Sequence, residues 1–199
     1  YTSYPDNVVK NFVQLSAKNG IDVFRIFDSL NSLDNMYETV QAVRETGKIA
    51  EVALCYTGDI LDPSRPKYNL DYYVRMAKEL QNAGANIIAI KDMAGLLKPE
   101  AAYQLVSALK DAVDLPIHLH THDGSGNAVT TLCRAADAGV DIVDAAYSAF
   151  AGGTSQPSMN TFYYAMSGKD RQPDLNVDAM EEMSRYWATV RPYYKGVDK

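Results

Sequence analysis

An α/β fold with a parallel sheet is the reading that three features of this 199-residue sequence support. First, three stretches rhyme: KNGIDVFRIFD (18–28), NAGANIIAIKD (82–92) and DAGVDIVDAAYS (137–148). Each sets a glycine after an amphipathic helical pattern, then one residue, then Asp or Asn, then a β-branched run. That order reads as a helix ended by glycine, a short turn and a buried strand. Second, IAEVALCY (49–56) and LPIHLHTHD (115–123) read as strands without the glycine lead-in. Third, helical periodicity fills the intervals, and strict alternation of strand and helix implies parallel strands joined by right-handed crossovers.

The elements follow in order. A helix at about 5–18 precedes the first strand. Met36, Val40 and Val43 recur at helical spacing in 35–45, after a cap expected at Asp34. Residues 70–82 place Tyr73, Met76, Ala77 and Leu80 on one face, and 99–112 opens with Pro99, which suits a first helical turn. Residues 126–138 offer Val129, Leu132, Cys133 and Ala136. Two helices, near 156–166 and 177–195, follow the last strand, and the polar GKDRQPDLNVD (168–178) links them.

An open doubly wound sheet and a (β/α)8 TIM barrel both fit this order. No G-x-G-x-x-G follows a strand, which removes the main support for a dinucleotide fold. Asp28, Tyr56, Lys91, Asp92, His120 and His122 gather at strand C-termini instead, where barrels build their active sites. Five βα units cannot close eight strands. The expectation is therefore an incomplete barrel segment, lacking about three strands, over 1–166, with the start of a C-terminal helical extension over 167–199.

A net charge of −6 and the lack of any Lys/Arg run argue against a nucleic-acid footprint. No apolar run is long enough to span a bilayer, and no signal-peptide pattern opens the chain. Cys55 and Cys133 read as reduced, buried thiols of a cytoplasmic protein.

All three histidines fall in HLHTHD (118–123), on alternate positions that share a strand face. His120 and His122 offer two nitrogen ligands at the strand mouth. Lys91 ends the preceding strand, and two readings of it stay open. It either snorkels or pairs with Asp92, or it is a desolvated amine that reacts with CO₂ to give a carbamate, an anionic oxygen ligand. Adjacent strands lie about 4.8 Å apart, so ligands from both can converge, and nitrogen with carboxylate-type oxygen suits Zn²⁺ or Mn²⁺. His118, one step deeper, reads as a hydrogen-bonded core histidine. Asp123 has the opposite parity and reads as a turn residue or outer partner. Arg25 reads as a carboxylate binder or half of a buried ion pair. The tyrosine pairs, Tyr72–Tyr73 among them, are expected at helix edges with wet hydroxyls.

Together YPDNVV, FRIFDSLN, CYTGDI, IKDMAGLLKP, HLHTHDGSGN and TSQPSMN resemble, in the same order, the carboxyltransferase domain of the pyruvate carboxylases. The resemblance runs from residue 1 to about 165. It implies a (β/α)8 barrel in which Lys91 is carbamylated and ligates a divalent metal (Zn²⁺ or Mn²⁺) together with His120 and His122. It sets Met93 beside the substrate pocket and Tyr1 on the pyruvate and biotin site. It further implies biotin carried on a separate domain, a homotetrameric parent, and carboxyl transfer from carboxybiotin to pyruvate giving oxaloacetate. The family's RDAHQS strand, with its metal-ligand aspartate, is absent from these residues, and its proton-shuttle threonine is expected beyond Lys199. Gly124 stands where the family usually has threonine, and AYSAFAGG departs from its usual pattern. Alternatives are a sodium-pump oxaloacetate decarboxylase or transcarboxylase-type subunit, or a non-catalytic barrel segment. The 199-residue chain by itself is expected to be inactive.

Overall fold

The structure, a computed structural model, describes residues 4–197. Its elements are α1 (Asp6–Lys18), β1 (Val23–Ile26), α2 (Leu33–Glu45), β2 (Ile49–Cys55), α3 (Leu70–Ala83) and β3 (Ile87–Asp92). They continue as α4 (Pro99–Ala112), β4 (Ile117–Thr121), α5 (Ala128–Asp137), β5 (Ile142–Val143), α6 (Met159–Ala165) and α7 (Val177–Val190). Single 3₁₀ turns at Ser148–Phe150 and Arg191–Tyr194 complete the set. The five strands form one sheet in the order β1-β2-β3-β4-β5, every neighbouring pair parallel.

The rhyme has a physical basis. Gly20, Gly84 and Gly139 sit at φ +103°, +104° and +96°, a conformation that strains any L side chain and lets the chain leave the helix. Two residues later a polar side chain pins the strand start: Asn86 Oδ1 accepts from Ala50 N at 2.9 Å, and Asp141 Oδ2 from Ile117 N at 2.7 Å.

Register decides between the two candidate sheets. Ile26, Val52, Leu54, Ile88, Ile90, Ile117 and Leu119 share one face and pack with the helices into the main core, all nearly free of solvent. The opposite face carries Val23, Arg25, Glu51, Cys55, Ile87, Lys91, His118, His120 and Ile142, by the pairings Arg25↔Glu51, Glu51↔Ile87, Cys55↔Lys91, Lys91↔His120 and His118↔Ile142. Val23 and Ile142 on this face stay 46% and 39% exposed, so no helix layer covers it. A doubly wound sheet buries both faces. One dry and one open face are those of a (β/α)8 barrel segment, with C-terminal helices beyond it.

Four local expectations are corrected. The cap of α2 is Ser32, whose side chain accepts from Asn35 N, and Asp34 lies inside the first turn. On α5 the buried stripe is Ala128, Thr131, Leu132, Ala135 and Ala136, while Val129 and Cys133 are half-buried. Small residues let α5 approach α4, and Thr131 can be buried because its hydroxyl donates to Leu97 O at 3.0 Å. Tyr73 is 1% exposed, and its hydroxyl bonds to both Thr57 N and Thr57 O at 2.9 Å. Strand β5 is only two residues long and has a partner on one side alone. Both cysteines are free thiols, Cys55 buried and Cys133 half-buried.

Candidate active site

The open face carries a polar cluster that climbs toward the strand C-termini. At its base Arg25 Nε donates to Glu51 Oε1 at 2.5 Å, the two residues being register partners on β1 and β2. His118, 5% exposed, lies between two carboxylates, with Nδ1 3.1 Å from Glu51 Oε2 and Nε2 2.8 Å from Asp144 Oδ1. Burial alone would lower the His118 pKa, but the hydrogen bonds from Asp144 and Glu51 outweigh it and raise the value to about 9. The two carboxylates thus favour the protonated ring, and Arg25 Nη2 lies beside it, 3.2 Å from Nδ1.

Asp144 follows β5 and also accepts from Arg25 Nη1 at 2.9 Å and from His120 Nδ1 at 2.7 Å. Burial would raise its pKa, but hydrogen bonds from His118, His120 and Arg25 hold it far below the usual carboxylate range. An ionised carboxylate only accepts, so His120 carries its proton on Nδ1. His122 is fixed likewise, because its Nδ1 lies 2.6 Å from Thr154 O and a carbonyl only accepts. The two Nε2 atoms face each other at 3.2 Å with the rings inclined at 77°.

That arrangement fits a metal ion. When both Nδ1 atoms hold the protons of neutral rings, both Nε2 lone pairs point into one space, which is unfavourable unless a cation shares it. Two nitrogens each 2.0–2.1 Å from one tetrahedral ion would stand about 3.3 Å apart. Among the described residues no three His, Cys, Asp or Glu gather as a metal site. Lys91 is the register partner of His120, one strand across on the same open face. It is half-buried, and its ammonium sits 4.7 Å from the centre of the Phe27 ring in a cation–π contact.

Asp92 takes no part on this face. It is fully buried on the helix side and accepts from Leu96 N, Leu97 N and Thr121 Oγ1, each at 2.9 Å. This rules out the Lys91–Asp92 pairing and gives Asp92 the task of holding the loop after β3. Met93 stands on that loop, 41% exposed. Gly95, at φ +66°, lies so close to β4 that a Cβ there would meet His122 O at 2.6 Å. Asp123 ties the start of α5 through Ala128 N, which is a turn role. Asp28 likewise caps the approach to α2 through Leu30 N and Ser32 N. Tyr1 lies outside the described residues.

Sequence reasoning passed over Glu51 and Asp144. Both left a signal: a charge inside an otherwise apolar strand, opposite Arg25 in the neighbouring strand, and an acid directly after the last β-branched run.

The HMGL-like family description matches residues 26–186. The chain is 62% identical over 194 residues to the pyruvate carboxylase of Bacillus subtilis (strain 168) and 60% over 195 residues to that of Staphylococcus aureus (strain Mu50). These alignments cover 98% of this chain and 17% of each relative. Among solved structures, the carboxyl transferase domain of Rhizobium etli pyruvate carboxylase with pyruvate and biocytin superposes with a TM-score of 0.93 at 55% identity. That match covers 94% of this chain and 32% of the solved one.

Proposed function

The chain belongs to the HMGL-like family and matches part of the carboxyltransferase domain of pyruvate carboxylase, and from that premise we propose that it forms the metal-bearing wall of a site passing a carboxyl group from biotin to pyruvate, giving oxaloacetate. The observation that carries this reading is the pair of Nε2 atoms 3.2 Å apart, each turned inward by a fixed Nδ1 hydrogen bond.

His120, His122 and a carbamate on Lys91 hold the ion, Zn²⁺ or Mn²⁺. When bound, it polarises substrate oxygens as a Lewis acid. The chain's own residues orient and shield. The strand mouths hold the ligands on rigid β3 and β4, Met93 borders the pyruvate pocket, and Tyr1 lines the pyruvate and biotin site. Excluding water protects a transferable CO₂, and fixed donors and cations favour the enolate that accepts it. The proposal includes a biotin carrier domain as partner, a homotetrameric parent, and a division into barrel (1–166) and helical extension (167–199). It also includes a cytoplasmic location, which the two free thiols support.

The test is biotin-dependent oxaloacetate formation from pyruvate by the full-length protein, with metal analysis beside it. Lys91→Ala, His120→Ala and His122→Ala are expected to lose metal and at least about 100-fold in turnover, as removal of a group that stabilises developing charge does. A main activity of sodium-stimulated oxaloacetate decarboxylation would refute the proposal. So would full turnover by a metal-free Lys91→Ala protein.

A further inference from the structure

Of the two histidines at the mouth, only His120 is oriented by a side chain. Its Nδ1–H donates to Asp144 Oδ2 at 2.7 Å, whereas His122 relies on a main-chain carbonyl. Asp144 is held from two more sides, with His118 Nε2 2.8 Å from Oδ1 and Arg25 Nη1 2.9 Å from Oδ2. Glu51 in turn grips both of those groups, Arg25 Nε at 2.5 Å and His118 Nδ1 at 3.1 Å. Side chains from β1, β2, β4 and the segment after β5 thus form one connected cluster, and its upper end is a ligand nitrogen.

Half-buried and buried charges are costly unless their partners are complete. Here Arg25 and His118 each bridge Glu51 and Asp144 at 3.1 Å or less, so contacts within the protein fix the cluster's geometry. Asp144 serves His118 through Oδ1 and His120 through Oδ2. The carboxylate therefore fixes the His120 tautomer and points Nε2 at the mouth.

We infer that Asp144 is a positioning residue for the metal ligand His120, and that Arg25, Glu51 and His118 are the frame that holds Asp144. The inference rests on the metal reading proposed above. A cluster serving only to tie the strands together would affect folding and leave metal affinity alone, which separates the two roles.

The experiment measures Zn²⁺ affinity by chelator competition, and the absorption spectrum of the Co²⁺-substituted site, in the full-length protein. Asp144→Ala is expected to weaken Zn²⁺ binding about 10–100-fold and to change the Co²⁺ spectrum, as loss of a carboxylate behind a ligating histidine does. Asp144→Asn keeps an acceptor for the His120 Nδ1–H at nearly the same volume. It is expected to lose less than Asp144→Ala, and it carries the test if the alanine variant does not fold. Glu51→Gln leaves the Asp144–His120 contact in place and is expected to lower stability while keeping Zn²⁺ affinity within about threefold, well short of the roughly 10–100-fold loss of a partner directly behind a ligand. Affinities of both Asp144 variants within about threefold of the parent would overturn the inference while leaving the metal reading intact. A parent protein that binds no stoichiometric Zn²⁺ or Mn²⁺ would overturn both.

Discussion

Gly95→Ala is the substitution that links backbone geometry to the site most directly. Two costs act on it. The residue sits at φ +66°, where an L side chain costs roughly 1–2 kcal/mol. Its new Cβ would also stand 2.6 Å from His122 O, 3.3 Å from Gly124 N and 3.4 Å from Ser125 N, all backbone atoms with no flexible end to yield. Strain of this overpacked kind adds roughly 1–3 kcal/mol. Gly126→Ala isolates the first cost, since Gly126 has φ +72° and nothing within 4 Å of its would-be Cβ. In urea unfolding of the complete carboxyltransferase domain, Gly126→Ala should lose about 1–2 kcal/mol. Gly95→Ala should lose at least about 1 kcal/mol more than that. Because the retreating carbonyl belongs to His122, Gly95→Ala should also weaken Zn²⁺ binding, and Gly126→Ala should not. Equal losses of stability in the two variants would refute the close-approach account.

Three further outcomes are expected. Asn31 holds both backbone groups of Cys55, with Oδ1 2.7 Å from Cys55 N and Nδ2 3.0 Å from Cys55 O. Asn31→Ala leaves them buried without partners, and urea unfolding should register a loss of about 2–4 kcal/mol, in line with roughly 1–3 for each orphaned group. At alkaline pH the sign comes from the tyrosines: burial pushes Tyr56 up to about 12 and raises Tyr73 as well. An unfolded tyrosine titrates near 10, so above that pH the unfolded state binds fewer protons and stability falls by up to about 1.4 kcal/mol per pH unit per tyrosine. Urea midpoints at pH 9 and 11 check this, and Tyr56→Phe should flatten the slope; an unchanged slope counts against it. Finally, Phe12, Val23, Phe27 and Leu30 lie exposed at the β1 edge, so the 199-residue chain alone should self-associate and show no carboxylation. A monomer in light scattering at high concentration would contradict the first expectation, and biotin-dependent turnover the second.

What the sequence made legible was mostly local. Helix α4 was readable to the residue because Pro99 marks its start, and α3 to within one residue because Gly84 ends it. The repeated glycine–Asx lead-in located three strands because it encodes a turn conformation and a strand pin. Features that depend on register were not readable in this way. The stripe of α5 shifted because close approach to α4 favours alanines over Val129. The barrel segment was legible from the polar residues at the strand C-termini, and the register of the five strands bears it out. Within the site, the parity of HLHTHD separated His118 from the pair above it. Asp144 escaped notice because its partners lie 24, 26 and 119 residues away in sequence.

The strand order also bears on how the molecule is made. Each strand from β2 to β5 pairs with the one immediately before it in sequence, and the paired residues are 24 to 36 positions apart. Among the described residues no strand waits for a distant partner, so these five strands can pair one unit at a time as the chain leaves the ribosome, and loop-closure entropy stays low at each addition. The ionic cluster on the open face does not share that schedule. Arg25 and Glu51 emerge early, and their counterpart Asp144 is synthesised some 90 residues after Glu51. During that interval Arg25 and Glu51 have each other, and the cluster is complete only when the segment after β5 adds Asp144 to Arg25 and His118.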